Sequence, residues 1–241
     1  MLYRADFLYD CADFYSLQSD PAVKLHGALM NHVPQKIAED MHKSNYHPFS
    51  LYCQPTIQKS MVARFSVLTD AAAELLDYFS ELQTVMLFGM QKPVHLLGQT
   101  EAVPITLAEA AERLACDTVE LCFLTPAMVR KHGRDFAPPS PEAYFTSVMK
   151  KLEVFEGIVV TQAEFRAAWE ACLPIDYRLE LERHRITGYE KSGMVGTLRM
   201  RLPQDKAQAE LIRTLLAYAE YSGIGGKTTQ GMGALTVTAV R

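Results

Sequence analysis

Two histidines, a lysine and a tyrosine occur together within residues 41–48. His42 and His47 are five residues apart, and Lys43 and Tyr46 lie between them. Imidazole gains and loses its proton near neutral pH, so these residues could carry acid–base catalysis. RNA already contains a nucleophile, its 2′-hydroxyl, and cleavage then needs a base, an acid and a cation for the charged transition state. We therefore assign candidate catalytic roles to His42, Lys43, Tyr46 and His47; the alternative is a solvated loop without chemistry.

Residues 221–235 combine five glycines with one lysine and two threonines. Glycine tolerates positive φ and close approach to a ligand, and free peptide N–H groups in such a loop can surround an anion. This glycine-rich loop is predicted to bind the phosphate backbone of RNA. The residues assigned to this role are Gly223, Gly225, Gly226, Lys227, Thr228, Thr229, Gln230, Gly231 and Gly233. A flexible hairpin without a ligand is the alternative.

The run Gly226-Lys227-Thr228 is similar to the end of a nucleotide-binding P-loop. That motif requires glycine where this chain has Tyr221, and it runs from a strand into a helix. Here a helical pattern precedes the loop and a strand pattern follows it. No carboxylate motif for magnesium accompanies the loop. A nucleotide-dependent enzyme is thus the least favoured interpretation, and ATP or GTP binding that depends on Lys227 would support it.

The densest basic run is at residues 130–134, and it is predicted to contact RNA phosphates through Arg130, Lys131 and Arg134. Because the formal net charge is −4, RNA binding requires the basic residues to collect on one face. An ordinary solvated loop is the alternative. No exposed aromatic motif of the RRM type is evident, and the only tryptophan, Trp169, is interpreted as a core residue. His26 is interpreted as structural.

The composition is that of a globular protein, with 49% hydrophobic and 22% charged residues among 241. The sequence shows neither a signal pattern nor an apolar run long enough to span a bilayer, so no membrane association is expected. The five cysteines are scattered without a C-x-x-C pair, which favours a reducing cytoplasm and argues against a zinc site. No metal and no cofactor are expected.

The periodicities predict an α+β fold of two tandem ferredoxin-like units, each with the order β-α-β-β-α-β. In the first unit, strands are predicted at residues 2–9, 49–53, 61–68 and 94–97, with helices after Asp20 and Asp70. In the second, strands are predicted at 118–125, 177–189, 196–202 and 235–240, with helices at 141–152, at 164–172 and after Asp205. The predicted domains are residues 1–103 and 117–241, joined by a connection at 104–116.

Several of these stretches resemble one family, the CRISPR-associated repeat-RNA endoribonucleases, which are the sixth Cas family within the RAMP group. The specific match is the glycine-rich loop, with SGIGGK at residues 222–227 and GMGAL at 231–235. Weaker matches are LHGALMN at 25–31, PFSL at 48–51, FLTP at 123–126 and GMVGTL at 193–198. The resemblance implies two RRM-like domains.

The resemblance also implies cleavage of precursor CRISPR RNA within each repeat, without a metal, leaving a 2′,3′-cyclic phosphate and a 5′-hydroxyl. The family's catalytic histidine matches His42. Where some members have a tyrosine on the first helix this chain has Met30, and the nearest match to a catalytic lysine is His47. His42 is thus expected to transfer the proton, assisted by His47, Tyr46 or Lys43.

The implied partners are CRISPR repeat RNA, as precursor and as mature guide RNA, and other Cas effector subunits. A monomer and a homodimer are both open. The main alternative is a non-catalytic RAMP-type subunit that uses the glycine-rich loop but not the histidines; tight RNA binding without turnover would favour it.

Overall fold

The N-terminal half of the chain forms an antiparallel sheet with helices packed against it. The computed structural model describes residues 1–12, 14, 17–138 and 140–240. Within them this half contains β1 (Tyr3–Tyr9), α1 (Pro21–His32), α2 (Gln35–Lys43), β2 (Phe49–Pro55), β3 (Met61–Val67), α3 (Glu74–Ser80), β4 (Thr84–Val85) and β5 (Val94–Gln99). The strand order is β2-β3-β1-β5-β4. Without the two-residue β4, this is the predicted ferredoxin-like unit.

The C-terminal half repeats this arrangement. After α4 (Leu107–Glu112) it contains β6 (Thr118–Ala127), β7 (Val129–Lys131), β8 (Arg134–Phe136), α5 (Glu142–Glu156), α6 (Gln162–Glu170), β9 (Leu173–Ile186), β10 (Tyr189–Arg201), α7 (Lys206–Ser222) and β11 (Leu235–Val240). The described strands of its main sheet are ordered β11-β6-β10-β9, which matches β5-β1-β3-β2 of the first half. The predicted fold class is therefore confirmed.

Helix starts follow the capping chemistry of the sequence. The Asp20 carboxylate accepts a hydrogen bond from the N–H of Ala22 at 2.8 Å, and Pro21 occupies the first helical position of α1. The Asp205 carboxylate accepts from the N–H of Gln208 at 2.9 Å at the start of α7. Each cap satisfies an N–H group that the helix itself leaves unpaired.

Two predicted elements differ in the structure. The alternating pattern at residues 177–189 is not one strand, because β9 ends at Ile186 and turns through Gly188, whose φ is +87°, into β10. Strand β6 does not end before Pro126 but runs to Ala127. Proline is tolerated there because the pairing of β6 with β10 is irregular at this point, so no ladder N–H is missed.

Each half has its own hydrophobic core. The N-terminal core includes Phe7, Phe49, Phe65 and Phe79. The C-terminal core is built around Phe123, Tyr144, Phe145 and Leu216, and also takes in Ala110 and Leu114 at α4. The boundaries at residues 103 and 117 stay a prediction.

Substituting Gly196 with alanine is expected to destabilise the C-terminal sheet. Gly196 has a φ of +120°, and a Cβ there would lie 2.0 Å from the carbonyl oxygen of Arg178 on β9. The resulting strain should lower the free energy of unfolding by about 2 kcal/mol or more, measured by urea denaturation. Gly98→Ala is the matched control, since a Cβ at that strand position meets nothing within 4 Å. Equal stability of the two variants would contradict the prediction.

Candidate functional site

A cleft of about 930 Å³ lies between the two halves of the chain, and we call it the central cleft. The segment between α2 and β2 forms one wall with Tyr46 and His47. Helices α5 and α6, the glycine-rich loop and β7 form the others. Six basic side chains line it: Arg130, Lys131, Lys150, Lys151, Arg166 and Lys227. Positive charge thus collects on one surface although the net charge of the protein is −4.

Three histidines lie together beside the central cleft. The ring centroids of His26 and His47 are 6.5 Å apart, edge to face, and both rings pack against Phe49 at 5.9 and 6.0 Å. In the described part of the chain, neither Nδ1 of His26 nor Nδ1 of His47 has a hydrogen-bond partner, although both atoms are buried. His42 is exposed on the last turn of α2, near enough for its charge to act on both.

Burial sets the protonation of two of these imidazoles. Burial, with smaller contributions from His47, His42 and Lys227, lowers the pKa of His26 to about 4. Burial, followed by the charges of Lys151 and His42, also lowers the pKa of His47. Both rings are therefore neutral at pH 7. A neutral imidazole can accept a proton from a hydroxyl group.

His26, interpreted as structural from the sequence, thus joins the candidate site. It lies on α1, and only the packing of α1 against β2 brings it to His47. Its place within the first-helix motif at residues 25–31 was the one signal in the sequence that could have found it.

The glycine-rich loop is hydrogen-bonded to the histidine side of the cleft. The N–H of Leu51 on β2 donates to the carbonyl of Thr228 at 2.9 Å, and the N–H of Gly231 donates to the carbonyl of Leu51 at 3.1 Å. The buried His184 donates from Nε2 to the carbonyl of Gln230 at 2.9 Å. Because β2 begins two residues after His47, these bonds bring the loop and the histidine segment to one cleft.

Most glycines of the loop serve its own packing. A Cβ at Gly225 would lie 2.1 Å from the carbonyl oxygen of Met128, and one at Gly233 would lie 2.0 Å from that of Ile224. The N–H groups of all five loop glycines already donate to protein acceptors: Gly223, Gly225, Gly226, Gly231 and Gly233. These N–H groups are therefore not free to bind a ligand. The anion site expected from the sequence thus has fewer backbone donors than predicted.

Three successive peptide groups remain for an anion. Among the described residues no acceptor is found for the N–H groups of Lys227, Thr228 and Thr229, and all three residues line the central cleft. Lys227 has a φ of +59°, and its Nζ donates to Oε1 of Gln230 at 3.1 Å. Adjacent free N–H groups beside a cation form a concavity suited to phosphate.

Lys151 on α5 fixes the glycine-rich loop through two hydrogen bonds. Its side chain is 5% exposed, and its Nζ donates to the carbonyl of Ser222 and, at 2.8 Å, to Oγ1 of Thr228. Burial lowers the pKa of Lys151 to about 7. Ser222 ends α7 at the start of the loop and Thr228 lies in its middle, so one buried amine on α5 binds both.

The basic run at residues 130–134 forms a hairpin of β7 and β8 rather than a loop. Arg130 and Lys131 line the central cleft, whereas Arg134 is exposed outside it. Asp135 anchors the hairpin, because it pairs with Lys191 on β10 and lies 3.7 Å from Nε of Arg130.

The remaining predicted residues, including His42, lie outside the cleft lining. Lys43 is exposed and lies 3.8 Å from the Glu39 carboxylate one turn earlier in α2. Gly223, Gly231 and Gly233 belong to the ends of the glycine-rich loop, away from the cleft surface. Across the described ranges, no three metal-ligating side chains gather at one point, and no helix has the length and hydropathy to cross a membrane.

Comparison with known proteins identifies relatives of this chain. Residues 121–235 match the family model described as CRISPR-associated endoribonuclease Cas6. The chain is 23% identical over 227 residues to CRISPR-associated endoribonuclease Cas6 of Streptococcus thermophilus, covering 90% of each chain. A Cas6 product complex aligns with a TM-score of 0.79 at 20% identity over 99% of both chains, and Thermus thermophilus Cas6 with a TM-score of 0.70 at 21% identity over 98% of both. The family resemblance is confirmed, and the matches support endoribonuclease activity in CRISPR RNA processing.

Proposed function

We propose that this chain, a relative of the Cas6 endoribonucleases, is a metal-independent endoribonuclease that cleaves precursor CRISPR RNA within its repeats. The observation that carries the proposal is the content of the central cleft. Neutral His47, with His26 and His42 beside it, lies across from Lys227 and three free peptide N–H groups. Acid–base groups and an anion site are thus present together, and phosphodiester cleavage by a 2′-hydroxyl needs both.

In the proposed reaction His47 accepts the proton of the 2′-hydroxyl as its oxygen attacks the adjacent phosphorus. The bond from phosphorus to the 5′-oxygen breaks, and His42 donates a proton to that oxygen. The products are a 2′,3′-cyclic phosphate and a 5′-hydroxyl. His26 packs edge to face on His47 and positions it. Tyr46 lines the cleft and can donate a hydrogen bond to a phosphate oxygen, while Lys43 is the least supported assistant because its amine pairs with the Glu39 carboxylate.

The loop is proposed to stabilise the charge of the transition state. Donors fixed in place before the reaction cost no reorganisation when charge develops. Lys227 and the N–H groups of residues 227–229 have this property, since β2, His184 and Lys151 hold the loop.

The basic hairpin extends the RNA path. Arg130 and Lys131 are exposed, reach the cleft and can pair with phosphates on one side of the cleavage point. Precursor and mature guide RNA, and other Cas effector subunits, are the proposed partners, with a monomer or a homodimer as the assembly.

Incubating the purified protein with its repeat RNA in EDTA tests the proposal. The expected result is cleavage at one position with a 2′,3′-cyclic phosphate end, identified by mass spectrometry. Cleavage that requires an added divalent cation would contradict metal independence. Tight binding without any turnover would favour the non-catalytic RNA-binding subunit instead.

Lys227→Ala is expected to weaken RNA binding by about 10–100-fold, because a charge-assisted hydrogen bond to phosphate is lost. The slope of log affinity against log salt should fall by about one unit, as for loss of one phosphate contact. Filter binding over a salt series measures both. Lys59→Ala is the matched control, since Lys59 also has a left-handed φ, of 56°, but lies in the β2–β3 turn outside the cleft. An unchanged slope for Lys227→Ala would contradict the contact.

A further inference from the structure

The lining of the central cleft is not limited to the histidine segment and the glycine-rich loop. At its α6 end, this helix contributes Gln162, Arg166, Trp169 and Glu170, and β8 contributes Phe136 to the same lining. The proposed cleavage chemistry uses none of these residues. This end differs from the rest of the cleft because it combines aromatic rings with a cation.

Trp169 has two environments at once. Its ring centroid lies 5.2 Å from that of Phe145 and 5.7 Å from that of Phe165, both in the C-terminal core. It is nevertheless only half-buried and lines the cleft. The interpretation of Trp169 as a core residue therefore covers only one of its sides. Because the core holds the ring in place, a stacking partner would lose little side-chain entropy in binding it.

Two neighbours make the same end suitable for a nucleobase. Phe136 is 42% exposed and lines the same cleft. Arg166 is exposed on α6, three residues and about one helical turn before Trp169. Flat aromatic rings and guanidinium groups are the surfaces on which unpaired RNA bases stack.

We propose that the α6 end of the central cleft is a nucleobase-binding subsite, in which an unpaired base next to the scissile phosphodiester stacks on Trp169. Phe136 and Arg166 contribute further stacking surface, and Gln162 and Glu170 offer hydrogen-bonding groups to the base edge. The subsite rests on the proposed function, since RNA must occupy the cleft. The ligand is an unpaired base because a base within a duplex has both faces covered by its neighbours.

The protein reports on this subsite directly, because Trp169 is its only tryptophan. We would titrate the wild-type protein with repeat RNA that carries a 2′-deoxy nucleotide at the cleavage position, so that binding occurs without turnover. Stacking should change the tryptophan fluorescence. A series of RNAs with one abasic nucleotide, at each of the positions flanking the cleavage point, should contain one member that abolishes the change. That member should bind more weakly by about 10–100-fold.

Arg166→Gln and Phe136→Ala test the neighbours without disturbing the core. Each should weaken binding of the intact RNA and have little effect on the critical abasic RNA. Arg178→Gln, at an exposed arginine on β9 outside the cleft, is the matched control. If Trp169→Ala fails to fold, Trp169→Phe keeps an aromatic ring and should bind almost as tightly as the wild type.

The outcomes separate this inference from the proposed function. Unchanged fluorescence at saturating RNA, or equal binding of every abasic RNA, would overturn the subsite even if the unmodified RNA is cleaved. Absence of cleavage of unmodified RNA would overturn the nuclease, and a position-specific fluorescence change would still support a base-binding subsite.

Discussion

His42→Ala and His47→Ala are each expected to slow cleavage of repeat RNA by about 10²–10⁴-fold, the usual contribution of a general acid or base. RNA affinity should stay close to that of the wild type, because neither imidazole belongs to the phosphate-binding loop. Single-turnover cleavage with saturating protein measures the rate, and filter binding measures the affinity. A loss of rate with unchanged affinity is the signature of a group that acts on the reacting atoms.

His95→Ala is the matched control for these variants. His95 is an exposed histidine on β5, far across the sheet from β2, and its Nδ1 lies 3.2 Å from Oγ1 of Thr84. The His95→Ala variant should cleave repeat RNA at the wild-type rate. Full activity of His42→Ala would remove His42 from the mechanism, and full activity of His47→Ala would remove the proposed base.

The pH profile gives a second readout of His47. Its pKa is lowered from the ordinary histidine value of 6.5, so the wild-type rate should fall only when the pH drops below that value. The reason is that the base must be neutral to accept the 2′-hydroxyl proton. The residual activity of His47→Ala should lack this acidic limb. A wild-type rate that already falls above pH 7 on acidification would contradict a neutral His47.

Lys151→Met is expected to change how stability depends on pH. In the folded state the pKa of Lys151 is lowered to about 7 from 10.5, so between these values the unfolded chain binds more protons than the folded protein. The free energy of unfolding therefore contains a contribution that rises with pH, by roughly 2 kcal/mol between pH 7 and pH 9. Lys151→Met lacks this rise, and urea denaturation at the two pH values measures the difference.

Lys150→Met is the control, because Lys150 is exposed and forms an ion pair of 2.7 Å with Glu153. Its stability should follow the wild-type dependence on pH. Lys151→Met should also bind RNA more weakly than the wild type, since the carbonyl of Ser222 and the hydroxyl of Thr228 lose their shared donor. If the free energy of unfolding depends on pH in the same way for the wild type and for Lys151→Met, the Lys151 amine does not have the lowered pKa that its burial implies.

The two catalytic variants and the Lys151 variant act on different properties. The histidine variants change rate, whereas Lys151→Met changes the placement of the loop and the titration of the folded state. A protein that loses RNA binding in Lys151→Met but cleaves normally in both histidine variants would have its catalytic centre outside the histidine segment.

Local patterns in the sequence determined the fold class. Alternation predicted the strand at residues 235–240, and the Asp20 and Asp205 caps predicted the starts of α1 and α7. Such signals depend on interactions between residues close in the chain, so they can be read without the tertiary structure. They failed where one residue reverses the chain, as Gly188 does between β9 and β10, because alternation continues on both sides of the turn.

The sequence by itself also determined which groups are available: the histidines of residues 41–48, the glycine-rich loop and the basic run. Only the tertiary structure decided how they meet. His26 joins His47 through helix–sheet packing, Lys151 becomes buried beside the loop, and the N–H groups of all five loop glycines are used within the protein. Contacts between distant segments depend on how elements pack and on which polar groups burial leaves unpaired, and neither is encoded in residue spacing.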